Sequence, residues 1–517
     1  MRLLPTLLLT FSSIAGAASL STTALTLGQP DLTEQRRTAT LLPGVTLTSI
    51  ERGQLAGNGV WTVNIAAVAT QSEGEKRLAD LKAAGFTGRL DSMQTQGTVK
   101  GNLGFMVRVG SFTARAEADS LLSTLKARGL SGGVQFTGED GGNVTGPWSI
   151  QVLSIEPGAQ ARVRLALATD TLPGRETTST LARRLGAVAA VNGGFFVINN
   201  DIGTEGDLAG ISVVDGKLLS EAIDGRPAFL LSRNEPGGQL LQGVTSTLTL
   251  KVGGTSRRAT GINRKPGFIV NCGNFAATPT TRPAHDLTCQ AKEELVAFTS
   301  AFGEQSDAGE GFEVAVGSDG TILSVQEKRG MTIPREGMTV QATGEAVAWL
   351  KNLAQAGVPV TLMTTLTDSS GKVIPLNTGT DIVNGGPTLV KSGKTLSDYA
   401  AEGWSPEGVT AEGAASAGSR LNFFNGWVLR RNPRTAIGTM SDGTLLLVTV
   451  DGRNPTHSVG VSIPEMAQLM RDLGAVDAMN LDGGGSTATY ANGMLQGIPS
   501  DTTGERPDGD AILIFPR

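Results

Sequence analysis

Met479-Asn480-Leu481-Asp482-Gly483-Gly484-Gly485-Ser486-Thr487, MNLDGGGST, ends an apolar strand-like run on one carboxylate, three glycines and two hydroxyls. Glycines here let the chain turn sharply and let bare backbone approach a ligand, because no Cβ intervenes. A carboxylate at the end of a strand, held by such a turn, is either exposed for chemistry or caps the amides of its own turn. The same construction, a buried strand running into a glycine turn, returns in AAVNGGFF (189–196) and in DIVNGGPTLVKSGK (381–394). NPRTAIG (432–438) adds an arginine at a strand start, and TVDGR (449–453) repeats the theme on a smaller scale. One Asn-Gly-Gly alone reads as a hairpin turn. Four such segments together point to a site.

Within it, Gly193, Gly194, Gly385, Gly386, Gly483, Gly484 and Gly485 are expected to offer backbone N–H groups to an anion. Asn192 and Asn384 carry neutral donors and acceptors suited to sugar hydroxyls, and Thr435, Asn480 and Ser486 extend that polar lining. Asp451 and Arg453 rank second, because Asp-Gly is first of all a turn signal.

Around these segments, strand-like runs recur from about residue 146 to the end, with helical spacing only at 175–186, 344–356 and 463–475. Met466, Leu469, Met470 and Leu473 form a core stripe on the last of these. The pattern is a strand-rich mixed α+β domain over 147–517. Upstream, a strand–helix pattern appears twice: WTVNIAAV (61–68) with EGEKRLADLKAAGF (73–86), then GFMVRVGSF (104–112) with TARAEADSLLSTLKARGL (113–130), Thr113 being the expected N-cap. This predicts a small α/β sandwich over 59–137. Residues 19–58 lack periodicity and are read as a linker or leading segment, and Gly-rich 138–146 as a second linker.

A chain of 517 residues accommodates two or more domains. Its net charge of −5 gives no basic footprint for nucleic acid. Arg2, the apolar run Leu3–Ile14 and Ala15-Gly16-Ala17 read as a signal peptide over 1–18. No later stretch reaches the roughly 18–20 apolar residues of a membrane span, so none is expected after cleavage. A secreted or periplasmic location, in the cell envelope, permits disulfides. The two cysteines, Cys272 and Cys289, are expected to pair.

The stretch FMVRVGSFTARAEADSLLSTLKARG resembles the SPOR domain, a ferredoxin-like module. That resemblance implies binding to peptidoglycan glycan strands stripped of their peptides. The first half departs from it, since AAV stands where the family has GSF. Ala190-Val191-Asn192-Gly193-Gly194-Phe195-Phe196, Asn384-Gly385-Gly386-Pro387, Arg434-Thr435-Ala436-Ile437-Gly438 and Asn480-Leu481-Asp482-Gly483-Gly484-Gly485-Ser486 resemble, in this order, the segments of the phosphodiester glycosidase family. Residues 245–330, which hold both cysteines, show no family pattern and read as a variable insertion.

The family resemblance implies hydrolysis of a bond between an anomeric carbon and a phosphodiester. Most glycosidases use two carboxylates because a sugar alkoxide leaves poorly without a proton. A phosphodiester anion leaves well, so one carboxylate with a cation suffices. Asp482 is the candidate base or nucleophile, and Arg434 offers a planar fork to the phosphate. The only histidines, His285 and His457, sit in loops, and no GxSxG, HExxH, EF-hand or Walker motif is present. No cofactor or metal ligand set is called for, although a divalent ion bridging Asp482 and phosphate is compatible with the pattern. The rival reading is a non-catalytic envelope glycan-binding protein.

Overall fold

The computed structural model describes residues 20–55, 59–93, 103–141, 144–270, 288–396, 399–404 and 421–517. The expected signal peptide and Cys272 lie outside them. In chain order the first elements are β1 (Glu34–Leu42), β2 (Val45–Arg52), β3 (Trp61–Val68), α1 (Gln71–Ala83), β4 (Gly88–Ser92), β5 (Phe105–Phe112), α2 (Arg115–Ala127), β6 (Gly133–Phe136) and β7 (Trp148–Ile155).

The leading segment is not a linker. β1 and β2 form a hairpin, and β2 pairs antiparallel with β7 from Val45↔Ile155 to Arg52↔Trp148. Val45, Leu47 and Ile50 of β2 are buried. β1 escaped detection because it is a polar edge strand, EQRRTATLL, without apolar alternation, in which Glu34 pairs with Arg36 and Arg52.

Between β2 and β7 the chain leaves the main body to build the smaller module. Its sheet runs β4-β5-β3-β6, with every neighbouring pair antiparallel. Both helices pack on one face, where Val63, Leu81, Val107, Val109, Ala118 and Leu125 form a single core. α2 starts one residue later than expected. Ala114, not Thr113, is its N-cap, and Glu117 accepts from the Ala114 N–H at 3.3 Å.

The opposite face of this sheet is polar. Arg108 donates to Asn64 (2.9 Å) and pairs with Asp91 (3.0 Å) and Asp140 (2.5 Å). Toward the main body it encloses a cavity of about 240 Å³, closed on the far side by Asn425, Leu429 and Arg430. The stretch after β6 is also no free linker. Glu139, only 1% exposed, accepts from Arg430 Nε at 3.0 Å, while its carbonyl and that of Gly138 accept from Arg431 N–H and Nη1 at 2.8 and 2.9 Å.

The main body is strand-rich α+β. One eight-stranded sheet runs β1, β2, β7, Leu445–Val450, Arg434–Met440, Ala475–Asn480, Thr388–Lys391 and Lys394–Thr395. Helix Ile463–Asp472 covers one face through Met466, Leu469 and Met470, with Leu473 just beyond it, all at most 1% exposed as the stripe predicts. Ser462 caps it by accepting from Glu465 N–H (3.2 Å), and Glu465 accepts from Ser462 N–H in return (2.9 Å). On the other face lies a five-stranded sheet built around Ala189–Asn192, Asp510–Pro516 and β8 (Ala161–Leu167). Leu153, Val163, Val191, Ile437, Leu447, Met479 and Ile512 meet in the shared core, each aliphatic side chain worth about 1.5–3 kcal/mol of burial.

The stretch expected as an insertion continues this architecture. Strand Gly238–Val252 runs into it, and strands Glu294–Thr299, Gly309–Val316, Ile322–Arg329 and Met338–Thr343 build a further sheet over a core that includes Leu250, Phe312, Val314 and Val340. Cys289 is buried, and among the described residues no cysteine is free.

Candidate active site

Strand register brings the carboxylate and the arginine together. Ala475–Asn480 runs antiparallel to Arg434–Met440 with Asn480 opposite Ala436. The chain beyond Asn480 therefore passes over the residues before Ala436. Leu481 N–H donates to Thr435 O and Gly484 N–H to Pro433 O, each at 2.9 Å. Asp482 becomes the neighbour of Arg434 by this alone.

The two Asn-Gly-Gly segments arrive at the same point. Asp482 N–H donates to Gly193 O (3.2 Å), Gly386 N–H to Asn480 O (2.7 Å) and Asn480 N–H to Pro387 O (3.0 Å). All four segments converge, but the asparagines do not face a ligand. Asn192 is fully buried: its Nδ2 donates to Asp482 O (2.9 Å), and its Oδ1 accepts from Thr435 Oγ1 (2.6 Å) and Ala488 N–H (3.3 Å). Asn384 Oδ1 accepts from Phe195 N–H at 2.7 Å, and Asn480 Nδ2 donates to Gly386 O at 3.0 Å. These amides, with Thr435, brace the backbone that carries Asp482.

The glycines need correction too. A Cβ on Gly193 would strike Asp510 Oδ1, and one on Gly385 would reach Asn480 O at 2.5 Å. On Gly194 it would meet the Asn384 amide at 2.5 Å. At these three positions glycine permits segment-to-segment packing, and the N–H groups of Gly193 and Gly194 donate to Asp510 O (3.1 Å) and Oδ1 (2.9 Å). Gly386, at φ +135, packs against Trp404. Gly484 is different, since φ +62 requires the left-handed region that glycine reaches without strain.

Asp482 is partly exposed. Its Oδ1 accepts from Gly483 N–H (2.8 Å) and its Oδ2 from Ser486 Oγ (2.8 Å). These bonds hold the carboxylate in one orientation. Arg434 is 2% exposed and makes no ion pair among the described residues. Its Nε and Nη2 donate to the neutral carbonyls of Val461 (3.3 Å) and Trp427, and it stacks 4.8 Å from the Trp427 ring. Burial pushes its pKa down to about 9, with the charge of Arg453 adding to the shift and Asp482 opposing it.

Of the second-tier pair, Asp451 is a brace. It is buried and bonded to His457 Nε2 (2.7 Å) and Ile498 N–H (2.9 Å). The bond to Asp451 raises the pKa of His457. Arg453 instead reaches the glycine turn, from a backbone held at φ +59. A non-glycine residue in that region marks a loop fixed by its surroundings, as functional loops often are.

Sequence reasoning missed two carboxylates, Asp508 and Asp510, and two residues of the last loop, Asp501 and Arg506. Arg506, Asp508 and Asp510 lie in the charged run RPDGD (506–510), and Asp501 lies just before it. Asp508 is raised well above the usual carboxylate range by burial and then by the charge of Asp482. Asp510 is pushed up to about 7 by burial, with the Gly194 N–H opposing (2.9 Å to Oδ1) and Asp482 adding. Its Oδ2 has no hydrogen-bond partner among the described residues.

Asp510 carries a stability signature. Between about pH 4 and pH 7 the folded chain keeps a proton that the unfolded chain has released, so this contribution is full below that window and lost as pH rises through it. Asp510→Asn imitates the protonated acid and can still accept from Gly194. The unfolding free energy of wild type minus variant should fall with pH across this window, at up to about 1.4 kcal/mol per unit, as urea melts at each pH would show. A flat difference would return Asp510 to the ordinary carboxylate range.

The body is strand-rich α+β, and its glycine turn sets Asp482 beside Arg434, which makes no ion pair among the described residues. The phosphodiester glycosidase family model matches residues 310–515, starting inside the segment expected as an insertion, and the SPOR domain model matches residues 57–135. The chain carries a phosphodiester glycosidase domain and a SPOR domain. It is 36% identical to the crystal structure of the "Putative exported protein" of Burkholderia pseudomallei, with a TM-score of 0.87 over 96% of this chain and 99% of that one. The N-acetylglucosamine-1-phosphodiester alpha-N-acetylglucosaminidase of Mus musculus is 31% identical over 127 residues, 25% of this chain and 22% of its own length. The Bos taurus protein of the same name is 42% identical over 78 residues, 15% of this chain and 14% of its own. The chain thus spans less than a quarter of these curated relatives. Among the described residues no helix is long and apolar enough to cross a membrane.

Proposed function

We propose that this chain is an exported hydrolase that cleaves the bond between an anomeric carbon and a phosphodiester in a cell-envelope glycan or phosphoglycan. Water adds across the bond, a free sugar leaves, and a phosphomonoester remains on the other fragment. The carrying observation is Arg434, a buried cation that makes no ion pair among the described residues, donates to the carbonyls of Val461 and Trp427, and lies beside Asp482. Asp482 acts as base or nucleophile at the anomeric centre. Arg434 stabilises the negative charge that gathers on the phosphate as the bond breaks. Asp510, protonated up to about neutral pH, keeps a second negative charge from building beside Asp482.

The SPOR-like module would hold peptidoglycan glycan strands and so keep the enzyme at the envelope. Its strand order supports the ferredoxin-like reading. A Cys272–Cys289 bridge fits the same exported setting.

A panel of sugar-1-phosphodiesters tests the activity directly, since a pure glycan binder releases no sugar. Arg434 tells the mechanism. Arg434→Ala should cost about 2–4 kcal/mol in kcat/KM on a phosphodiester, appearing in kcat as well as KM. Arg434→Lys, which keeps charge but loses the fork, should fall between. Equal losses on a phosphodiester and a neutral aryl glycoside, with a lowered Tm, would make Arg434 scaffolding.

A further inference from the structure

Arg453 and Arg506 converge on the glycine turn that follows Asp482. A Cβ on Gly484 would stand 3.1 Å from Arg453 Nη2, and one on Gly485 would collide with Arg506 Nη2 and with Asp501 Oδ2. Two guanidiniums therefore rest on bare backbone at the mouth of the site. Asp501 lies with them, 2.8 Å from Arg506 and 4.0 Å from Arg453. It is the only carboxylate paired with either arginine among the described residues. The side chains of Arg453, Arg506 and Asp501 are 35%, 31% and 25% exposed, so solutes reach all three. Arg434, by contrast, lies at the buried end.

Arg453 and Arg506 share one carboxylate, Asp501, while neighbouring Arg430 is paired with Glu139 and Glu505 is bonded to Ser179. Both arginines lose that partner once Asp501 turns away. A phosphodiester carries one negative charge, and the phosphomonoester product up to two. Asp501 sits on a turn whose next residues, Thr502 and Thr503, are exposed, so its displacement disturbs no core.

We infer that Arg453 and Arg506, opposed over Gly484 and Gly485, are the seat for a phosphate group, and that Asp501 is its resident occupant, expelled when phosphate enters. The carboxylate offers two coplanar oxygens to the guanidinium forks; a phosphodiester offers two tetrahedrally disposed non-bridging oxygens and the phosphomonoester product three. The inference rests on the glycosidase reading only in taking that phosphate as part of the substrate; free phosphate would use the same seat.

Calorimetric titration of the full-length protein with inorganic phosphate tests it. If Asp501 fills the seat nine-tenths of the time, Asp501→Asn should bind phosphate about tenfold more tightly. Its KM for a sugar-1-phosphodiester should fall with it. Arg506→Gln should weaken phosphate binding about tenfold, as loss of a charge-assisted fork does. Unchanged or weaker phosphate binding by Asp501→Asn overturns the proposal, because it makes Asp501 a clamp for Arg506 and no competitor. Wild-type phosphate affinity in Arg506→Gln overturns it as well, and decides alone if Asp501→Asn does not fold. A wild type that releases no sugar, beside an Asp501→Asn that tightens on phosphate, sinks the glycosidase reading and leaves the anion seat standing.

Discussion

Asp482→Asn should fold normally and lose kcat by roughly 10³–10⁴-fold, the scale seen when a reacting carboxylate is removed. The fold survives because the turn keeps its bonds. Asparagine still presents an oxygen to the Gly483 N–H, and the Ser486 hydroxyl can rotate to accept from the new amide in place of donating. Asn192, Thr435 and Asn480 continue to hold the backbone on either side. What disappears is the negative charge, which a base or nucleophile cannot do without. The check is kcat on a sugar-1-phosphodiester beside a thermal melt. A folded variant with wild-type kcat would reduce Asp482 to a cap on its own turn.

Residues 146–517, expressed alone, should fail to give a folded monomer. Read from sequence, that boundary looks like a clean cut through a glycine-rich linker. In the structure it strips β1 and β2 from β7 and leaves a central strand as a bare edge. Val45, Leu47 and Ile50 leave the core with β2, at about 1.5–3 kcal/mol each. A total of roughly 5–9 kcal/mol rivals the whole stability of an ordinary domain. Dropping Gly138 and Glu139 also frees Arg430 and Arg431, which lead into Arg434. Circular dichroism and gel filtration of the fragment decide it. A cooperative melt from a monomeric 146–517 would show that the hairpin is dispensable.

The four motif segments were legible as one site because each is a strand end followed by glycine, and register does the rest. Their roles were less legible. The string Asn-Gly-Gly is the same whether a missing Cβ makes room for a ligand or for Asp510, as at Gly193. Asp508 and Asp510 were invisible because their chemistry comes from burial, which RPDGD does not display. The β1–β2 hairpin was lost because a polar edge strand lacks apolar alternation. The turn Phe424–Leu429, a π-helix carrying Trp427 under Arg434, follows no period that a 3.6-residue reading would find.

The smaller module is threaded between two strands that lie side by side, leaving at Arg52 and returning at Trp148, with Gln54 N–H still bonded to Thr145 O. Such a module hangs from two cords, not one. Tension on it runs along β2 and β7 together, and each is hydrogen-bonded along its outer side, to β1 and to Leu445–Val450. The load is met in shear, where many backbone bonds resist at once, and not by peeling them one after another. A single break in either cord leaves the module fastened by the other. An enzyme hauled against an insoluble polymer would keep its grip and its sheet.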